Sequence, residues 1–246
     1  MFLALLHIMN LIVDQGNSSV KIGVFDNDRL VESLRFDEFG LREADALLCK
    51  YSFRKAIVST VVKTDDKLCE FLKDRVDKFV FLDENTAVPI ENLYETPKTL
   101  GRDRLAVCVG ANYLMPDANL LVIDIGTAMT FDVVNSKNQY VGGNISLGLD
   151  MRLKALNFFT EKLPLVNVKE EAKLIGTNTE DAIFSGVVNG MIGEIDGFIR
   201  EIMLIFPNIS VFLTGGASFF FERKLKSSIF ANQNLLLIGL NRILNY

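Results

Sequence analysis

The chain has 246 residues, a formal net charge of −5 and a sequence pI near 5.1. That length can bury a substantial core in one domain or two. The acid balance, with basic residues scattered along the chain, excludes the broad basic surface that nucleic acid or an anionic membrane demands, so neither is expected as a partner.

In chain order, the opening MFLALLHIMN lacks the basic start and small-residue cleavage site of a signal peptide and is too short to span a bilayer. Met9 stands immediately before NLIVDQG, so residues 1–8 are expected to be an upstream start or a vector-derived extension. The only histidine, His7, lies in that segment, which leaves a carboxylate, a lysine or a tyrosine as general base elsewhere. LIVD, SVKIGVFD and RLVESLRF then read as a three-strand meander with turn residues between the runs. EADALLCKYS reads as a helix, KAIVSTVV as a buried strand, DDKLCEFLKDRV as a helix with an acidic start, and KFVFLD as a strand. Residues 84–100 hold two prolines and no period, and are expected to be a functional loop. GRDRLAVCVGANYL is helical by period.

The pattern then restarts with LLVID, AMTFDVV and QYVGGNIS as strands, LGLDMRLKALNFFT as a helix, and a long helix from Thr179 to Phe206. SVFLTGG gives a late strand, ASFFFERKLK a helix, and LLLIGLNRILNY a terminal run too apolar to stand free in water. No low-complexity linker divides the halves, so the expected domains are residues 9–117 and 118–246, sharing a cleft. Cys49, Cys69 and Cys108 form no C-x-x-C pair, which points to a reducing cytoplasm and to small buried apolar roles for all three.

Two stretches carry the chemistry. In LIVDQGNSSVKIGVF, Asp14 ends an apolar run and is followed by Gly16, Asn17, Ser18 and Ser19, with Lys21 beyond; in LVIDIGTAMTFDVV, Asp124, Gly126, Thr127, Thr130 and Asp132 repeat the arrangement. One copy would pass as a tight turn. Two copies point to paired loops whose amides and hydroxyls cradle phosphate, with Mg²⁺ needed between an Asp and an anion. Neither copy is a Walker loop or a dinucleotide fingerprint. Between them, YETPKTLGRDRLA sets Gly101, Asp103 and Arg104 where a helix begins. Taken alone, an Arg beside an Asp reads as a surface ion pair.

The duplicated strand-loop-strand units resemble the ribonuclease-H-like, actin-type ATPase and sugar-kinase superfamily, which implies an α/β fold of two related domains. TGG at 214–216 resembles its adenosine-binding turn. The set DQGNSSVK, YETPKTLGRDR, DIGTAMTFD, GGNISLG, NTEDAI with Gly186, and TGG, in this order over most of the chain, resembles the type III pantothenate kinases. That resemblance implies ATP-dependent phosphorylation of pantothenate, the first step of coenzyme A biosynthesis. It further implies Asp103 as general base, with Arg104, Tyr94 and Gly101 around the substrate and Thr179 reaching the pocket of a second subunit in a homodimer. Asp14 and Asp124 would hold metal and phosphates, and Gly16, Asn17, Ser18, Lys21, Gly126, Thr127 and Thr130 would meet ATP, with Asp132 in support. Mg²⁺ and a monovalent cation, K⁺ or NH₄⁺, are implied as cofactors. Leu147 stands where the family often has proline, and Ser18 where threonine is usual. The same loops fit a sugar kinase of the superfamily or a non-catalytic regulatory relative, and the retained Asp103 argues against the latter.

Overall fold

A computed structural model describes residues 8–62 and 66–246. They divide into two compact units, the described residues up to 116 together with 234–246, and 117–233.

In the first unit, β1 (Ile8–Gln15), β2 (Val20–Asp26) and β3 (Arg29–Phe36) form the expected meander. Then come α1 (Leu41–Lys50), β4 (Ser52–Thr60), α2 (Asp66–Lys73) and β5 (Lys78–Phe81). The strand order is β3-β2-β1-β4-β5, with β1 parallel to β4 and β4 parallel to β5. Odd-numbered residues of β1 (Leu11, Val13) and even-numbered residues of β2 and β4 (Ile22, Val24, Ala56, Val58) pack on Ala44 and Leu47 of α1 and Leu68 and Leu72 of α2. The residues between them, Asp14 among these, therefore leave the opposite face. The expected loop before the central helix contains the two-residue strand β6 (Glu91–Asn92) and a 3₁₀ turn at Pro97–Thr99, after which α3 runs from Arg102 to Leu114.

The second unit repeats the plan. β7 (Leu120–Ile125), β8 (Ala128–Asn135) and β9 (Gln139–Leu147) form a meander, followed by α4 (Leu149–Phe158), α5 (Thr179–Ile205), β10 (Ser210–Thr214), α6 (Ser218–Glu222) and β11 (Phe230–Ala231). Within the unit the order is β11-β10-β7-β8-β9, so the sequential positions 3-2-1-4-5 recur. The duplication seen in the loops is thus a duplication of topology. α5 is long and apolar enough to cross a membrane by length and composition, yet half of its most apolar window is buried in the unit. Val188, Met191, Ile195 and Ile199 of α5 lie in the same core as Ile123, Phe131 and Leu213 of the sheet, which accounts for the apolarity.

The final helix, α7 (Leu235–Leu244), corrects the expected domain limits. It belongs with the first unit, not with 118–233. Gly110 on α3 and Gly239 on α7 face the partner helix so closely that a Cβ on either would overlap backbone atoms, at Leu235 O and Ala106 O respectively. Buried amides fix the register of α7 on the sheet: Asn10 Nδ2 donates to Asn241 Oδ1 at 2.8 Å, and Asn241 Nδ2 donates to Asn27 O at 2.8 Å. Strand β1 begins at Ile8, the last residue of the segment expected to be an extension, and His7 lies outside the described residues. One smaller expectation needs correction. Cys108 is buried, but Cys49 is exposed on the last turn of α1, where the helix has turned away from the core.

Candidate active site

The first acidic loop is built by the end of β1. Asp14 is 7% exposed and lies directly across the antiparallel pair from half-buried Lys21 on β2. Gly16 N–H closes the loop on Ser19 C=O at 3.1 Å, leaving Asn17 and Ser18 exposed at its tip. Ser19 Oγ is held by Arg35 Nε at 3.0 Å. A pocket of about 560 Å³ opens here, lined by residues 15–20, 37–40, Glu43 and Val62. Asp37, Glu38 and Glu43 make that lining acidic, so an anion bound there requires a cation beside it. Glu43 is held below the usual carboxylate range by its own amide and then that of Gly40, whose N–H donates to Glu43 Oε2 at 3.1 Å.

The second acidic loop stands at the end of β7. Asp124 is the register partner of Thr130 on β8 and of Thr214 on β10, so all three leave one face of the sheet. Asp132, two residues beyond Thr130 on that face, is fully buried and accepts from Tyr140 Oη at 2.7 Å. Gly126 N–H bonds Ala128 C=O at 3.0 Å, and Gly148 N–H bonds Thr127 C=O at 3.1 Å. A Cβ on Gly148 would overlap the carbonyl oxygens of Gly126 and Thr127, so this glycine lets α4 begin against the loop. Gly215 has φ +93, and a Cβ there would overlap Asp124 Oδ1. The TGG turn is therefore the floor of the Asp124 site, a stronger role than its glycines alone imply.

The middle motif assembles at the start of α3. Gly101 is the residue preceding the helix, and its missing Cβ makes room for Asp103 Oδ1, which accepts Arg104 N–H at 2.9 Å. Asp103 is half-buried. Arg104 is 6% exposed, with its guanidinium 5.9 Å from the Tyr94 ring centroid. The surface ion-pair reading of Arg104 thus fails, because a buried guanidinium over an aromatic ring is a placed cation. Tyr94, Gly101, Asp103 and Arg104 come together as one group within the first unit.

Thr179 opens α5 and is exposed. Asn178 caps the helix by accepting Asp181 N–H at 2.9 Å. Lys169 Nζ meets Asp181 Oδ1 at 2.7 Å and ties the preceding loop to this helix start. That contact holds the Asp181 carboxyl below its ordinary range and the Lys169 ammonium above its own.

Among the described residues, no three His, Cys, Asp or Glu side chains converge as a metal cage. Magnesium in phosphoryl-transfer sites uses one or two carboxylates completed by substrate phosphates, so single aspartates at loop ends fit that role. Two buried hydroxyls beside these aspartates suit the same role. Thr130 Oγ1, in register with Asp124, and Ser59 Oγ, in register with Asp14, are buried without hydrogen-bond partners. Ser59 was not a candidate from sequence, since it sits inside a β-branched run and only strand register reveals its neighbour.

Repeated 3-2-1-4-5 units with an acidic loop after each first strand define an actin-like ATPase fold. Solved structures agree on the fold: a ROK hexokinase from Thermus thermophilus superposes with TM-score 0.53 at 13% identity, covering 96% of this chain and 98% of that one. A Campylobacter jejuni protein described as a Baf family transcriptional activator superposes with TM-score 0.61 at 22% identity, covering 96% and 97%.

Sequence comparison gives the family. The sequence model of the type III pantothenate kinases matches residues 10–201. A type III pantothenate kinase of Phocaeicola vulgatus is 45% identical over 97% of this chain and 98% of its own, and one of Bacteroides fragilis 47% identical over the same shares. One of Porphyromonas gingivalis is 40% identical over 96% and 98%. The chain belongs to the type III pantothenate kinase family.

Proposed function

We propose that this chain transfers the γ-phosphoryl group of ATP to the primary hydroxyl of pantothenate, opening coenzyme A biosynthesis, with Asp103 as the general base. The supporting observation is the group at the start of α3, where half-buried Asp103 is followed by buried Arg104 beside the Tyr94 ring. Pantothenate carries a carboxylate and a primary alcohol, and this group offers a placed cation for the first and a proton acceptor for the second. Phosphoryl transfer asks for positioning and charge neutralisation, and the alcohol proton leaves late, so a carboxylate suffices as base.

Asp14 in the first unit and Asp124 in the second are assigned to the metal and phosphates. Gly16, Asn17, Ser18, Gly126, Thr127 and Thr130 are assigned to phosphate contacts, and Lys21 to charge balance beside Asp14. Bound Mg²⁺ would neutralise the phosphates, and a monovalent cation, K⁺ or NH₄⁺, would complete the charge. The assembly is a homodimer in which exposed Thr179 serves the pantothenate pocket of the second copy, in the reducing cytoplasm. Large exposed apolar side chains on the second unit support such an interface: Phe158 and Phe159 at the end of α4 are 80% and 81% exposed, and Leu174 and Ile175 are 83% and 75%.

The test is an ADP-release assay with pantothenate against a panel of hexoses, with and without K⁺. Turnover of pantothenate alone, faster with K⁺, is expected; equal turnover of hexoses would reject the substrate.

A further inference from the structure

Ser59, one residue before the end of β4, stands directly beside Asp14. The two are register partners in the parallel β1–β4 pair, so their side chains leave the same face of the sheet. Ser59 is 1% exposed and its Oγ has no hydrogen-bond partner. A buried hydroxyl left in that state is destabilising, so its retention calls for a use. The turn that follows does not need it: Thr60 Oγ1 receives Val62 N–H at 3.1 Å and donates to Val62 C=O at 3.0 Å, while Val61 N–H reaches Gln15 C=O at 3.1 Å.

The second unit repeats the arrangement. Thr214 ends β10 in register with Asp124, and Thr130 flanks Asp124 from the antiparallel side, as Lys21 flanks Asp14. Each aspartate thus stands between a hydroxyl on its parallel neighbour and a polar side chain on its antiparallel neighbour. The glycines after Thr214 announce one of these hydroxyls in the sequence; Ser59 has no such marker.

We propose that Ser59 is a positioning residue of the phosphate site: its hydroxyl donates to an oxygen in the shell of the divalent cation at Asp14. This rests on the metal and phosphate role assigned to Asp14 above. A hydroxyl can donate to that oxygen while Asp14 accepts or ligates from the other side.

The experiment measures calorimetric binding of Mg·ADP, and of ADP in EDTA, to the full chain and to Ser59→Ala, Ser59→Thr and Asp14→Asn, with ligand-free thermal unfolding of each. Ser59→Ala is expected to weaken Mg·ADP about tenfold, the scale of one lost hydrogen bond to a charged shell, and to leave metal-free ADP within about twofold. Ser59→Thr should recover most of the loss, and the ligand-free melting temperature of Ser59→Ala should be unchanged or raised. Wild-type Mg·ADP affinity in Ser59→Ala, with Asp14→Asn weakened, overturns the role of Ser59 and leaves that of Asp14 standing. Unaltered magnesium dependence in Asp14→Asn overturns both. A lowered ligand-free melting temperature for Ser59→Ala, or no recovery by threonine, also overturns the proposal, since the hydroxyl would then serve the fold.

Discussion

The backbone of Gly215 packs against the carboxylate of Asp124 with no space for a Cβ between them. Its φ of +93 is a conformation that L side chains rarely adopt, so two independent requirements select glycine here. Gly216 carries neither, since a Cβ there meets nothing within 4 Å. Gly215→Ala should therefore displace Asp124 and lower Mg·ADP affinity at least about tenfold, with a stability loss of about 1–3 kcal/mol from backbone strain. Gly216→Ala should stay within about 0.5 kcal/mol of wild type. Calorimetric binding and chemical unfolding of the pair separate a turn that holds a carboxylate from a loop that merely contains glycines.

Asp103→Asn preserves side-chain volume and keeps an oxygen for the Arg104 N–H contact, so the start of α3 should fold as before. Removing the proton acceptor should lower kcat by about 10²–10⁴ while pantothenate KM changes little, the signature of a group needed in the transition state rather than in binding. Arg104→Ala should do the reverse and raise KM first, because the residue is assigned to the substrate carboxylate. Steady-state kinetics on both variants check the division; a raised KM with undiminished kcat in Asp103→Asn would sink the general-base assignment.

Where local pattern carries the information, the sequence sufficed. RLVESLRF puts Leu30, Leu34 and Phe36 at even spacings, and in β3 (Arg29–Phe36) these three share the half-buried face, with exposed Val31 and half-buried Glu32 the departures from the pattern. Both Asp-x-Gly loops stand at strand ends because glycine and short polar residues end strands for local reasons. Destinations set by long-range pairing were not legible. KAIVSTVV reads as strand through Val62, but β4 stops at Thr60, where the Thr60 hydroxyl takes up the Val62 backbone. Nothing in that run places Ser59 beside Asp14, a relation between strands far apart in sequence. The apolar character of α7 says that it must pack, not on which half, and the deciding signals, Gly110 with Gly239 and Asn10 with Asn241, appear only as pairs.

The α3–α7 crossing makes a prediction about stability that also bears on the site, because α3 begins at Arg102 and Asp103. Gly239→Ala would drive a methyl into the Ala106 carbonyl, and the helices must separate to admit it. Overpacking of this kind costs about 1–3 kcal/mol, which should appear as a lower unfolding midpoint in urea. Separation at mid-helix also shifts the α3 start, so kcat should fall by more than the unfolded fraction explains. Gly193→Ala on α5, where a Cβ meets nothing within 4 Å, should instead be neutral or slightly stabilising through helix propensity.

Exposed Phe158 and Phe159, with ring centroids 5.0 Å apart, end α4, and Leu174 and Ile175 stand shortly before exposed Thr179 at the start of α5. Apolar side chains that open to water gain on the order of 25 cal/mol per Å² when a second surface covers them, and each Phe ring offers a large apolar area. If these residues form the interface of the proposed dimer, Phe158→Ser with Phe159→Ser should convert it to a folded monomer in sedimentation experiments. Because Thr179 is assigned to the pocket of the other copy, the monomer should lose pantothenate turnover yet retain Mg·ADP binding. Mixing inactive Asp103→Asn with inactive Thr179→Ala should then restore part of the activity, since a mixed dimer contains one pocket with both residues intact. A fully active monomer, or no recovery on mixing two variants that exchange subunits, would remove Thr179 from the shared site.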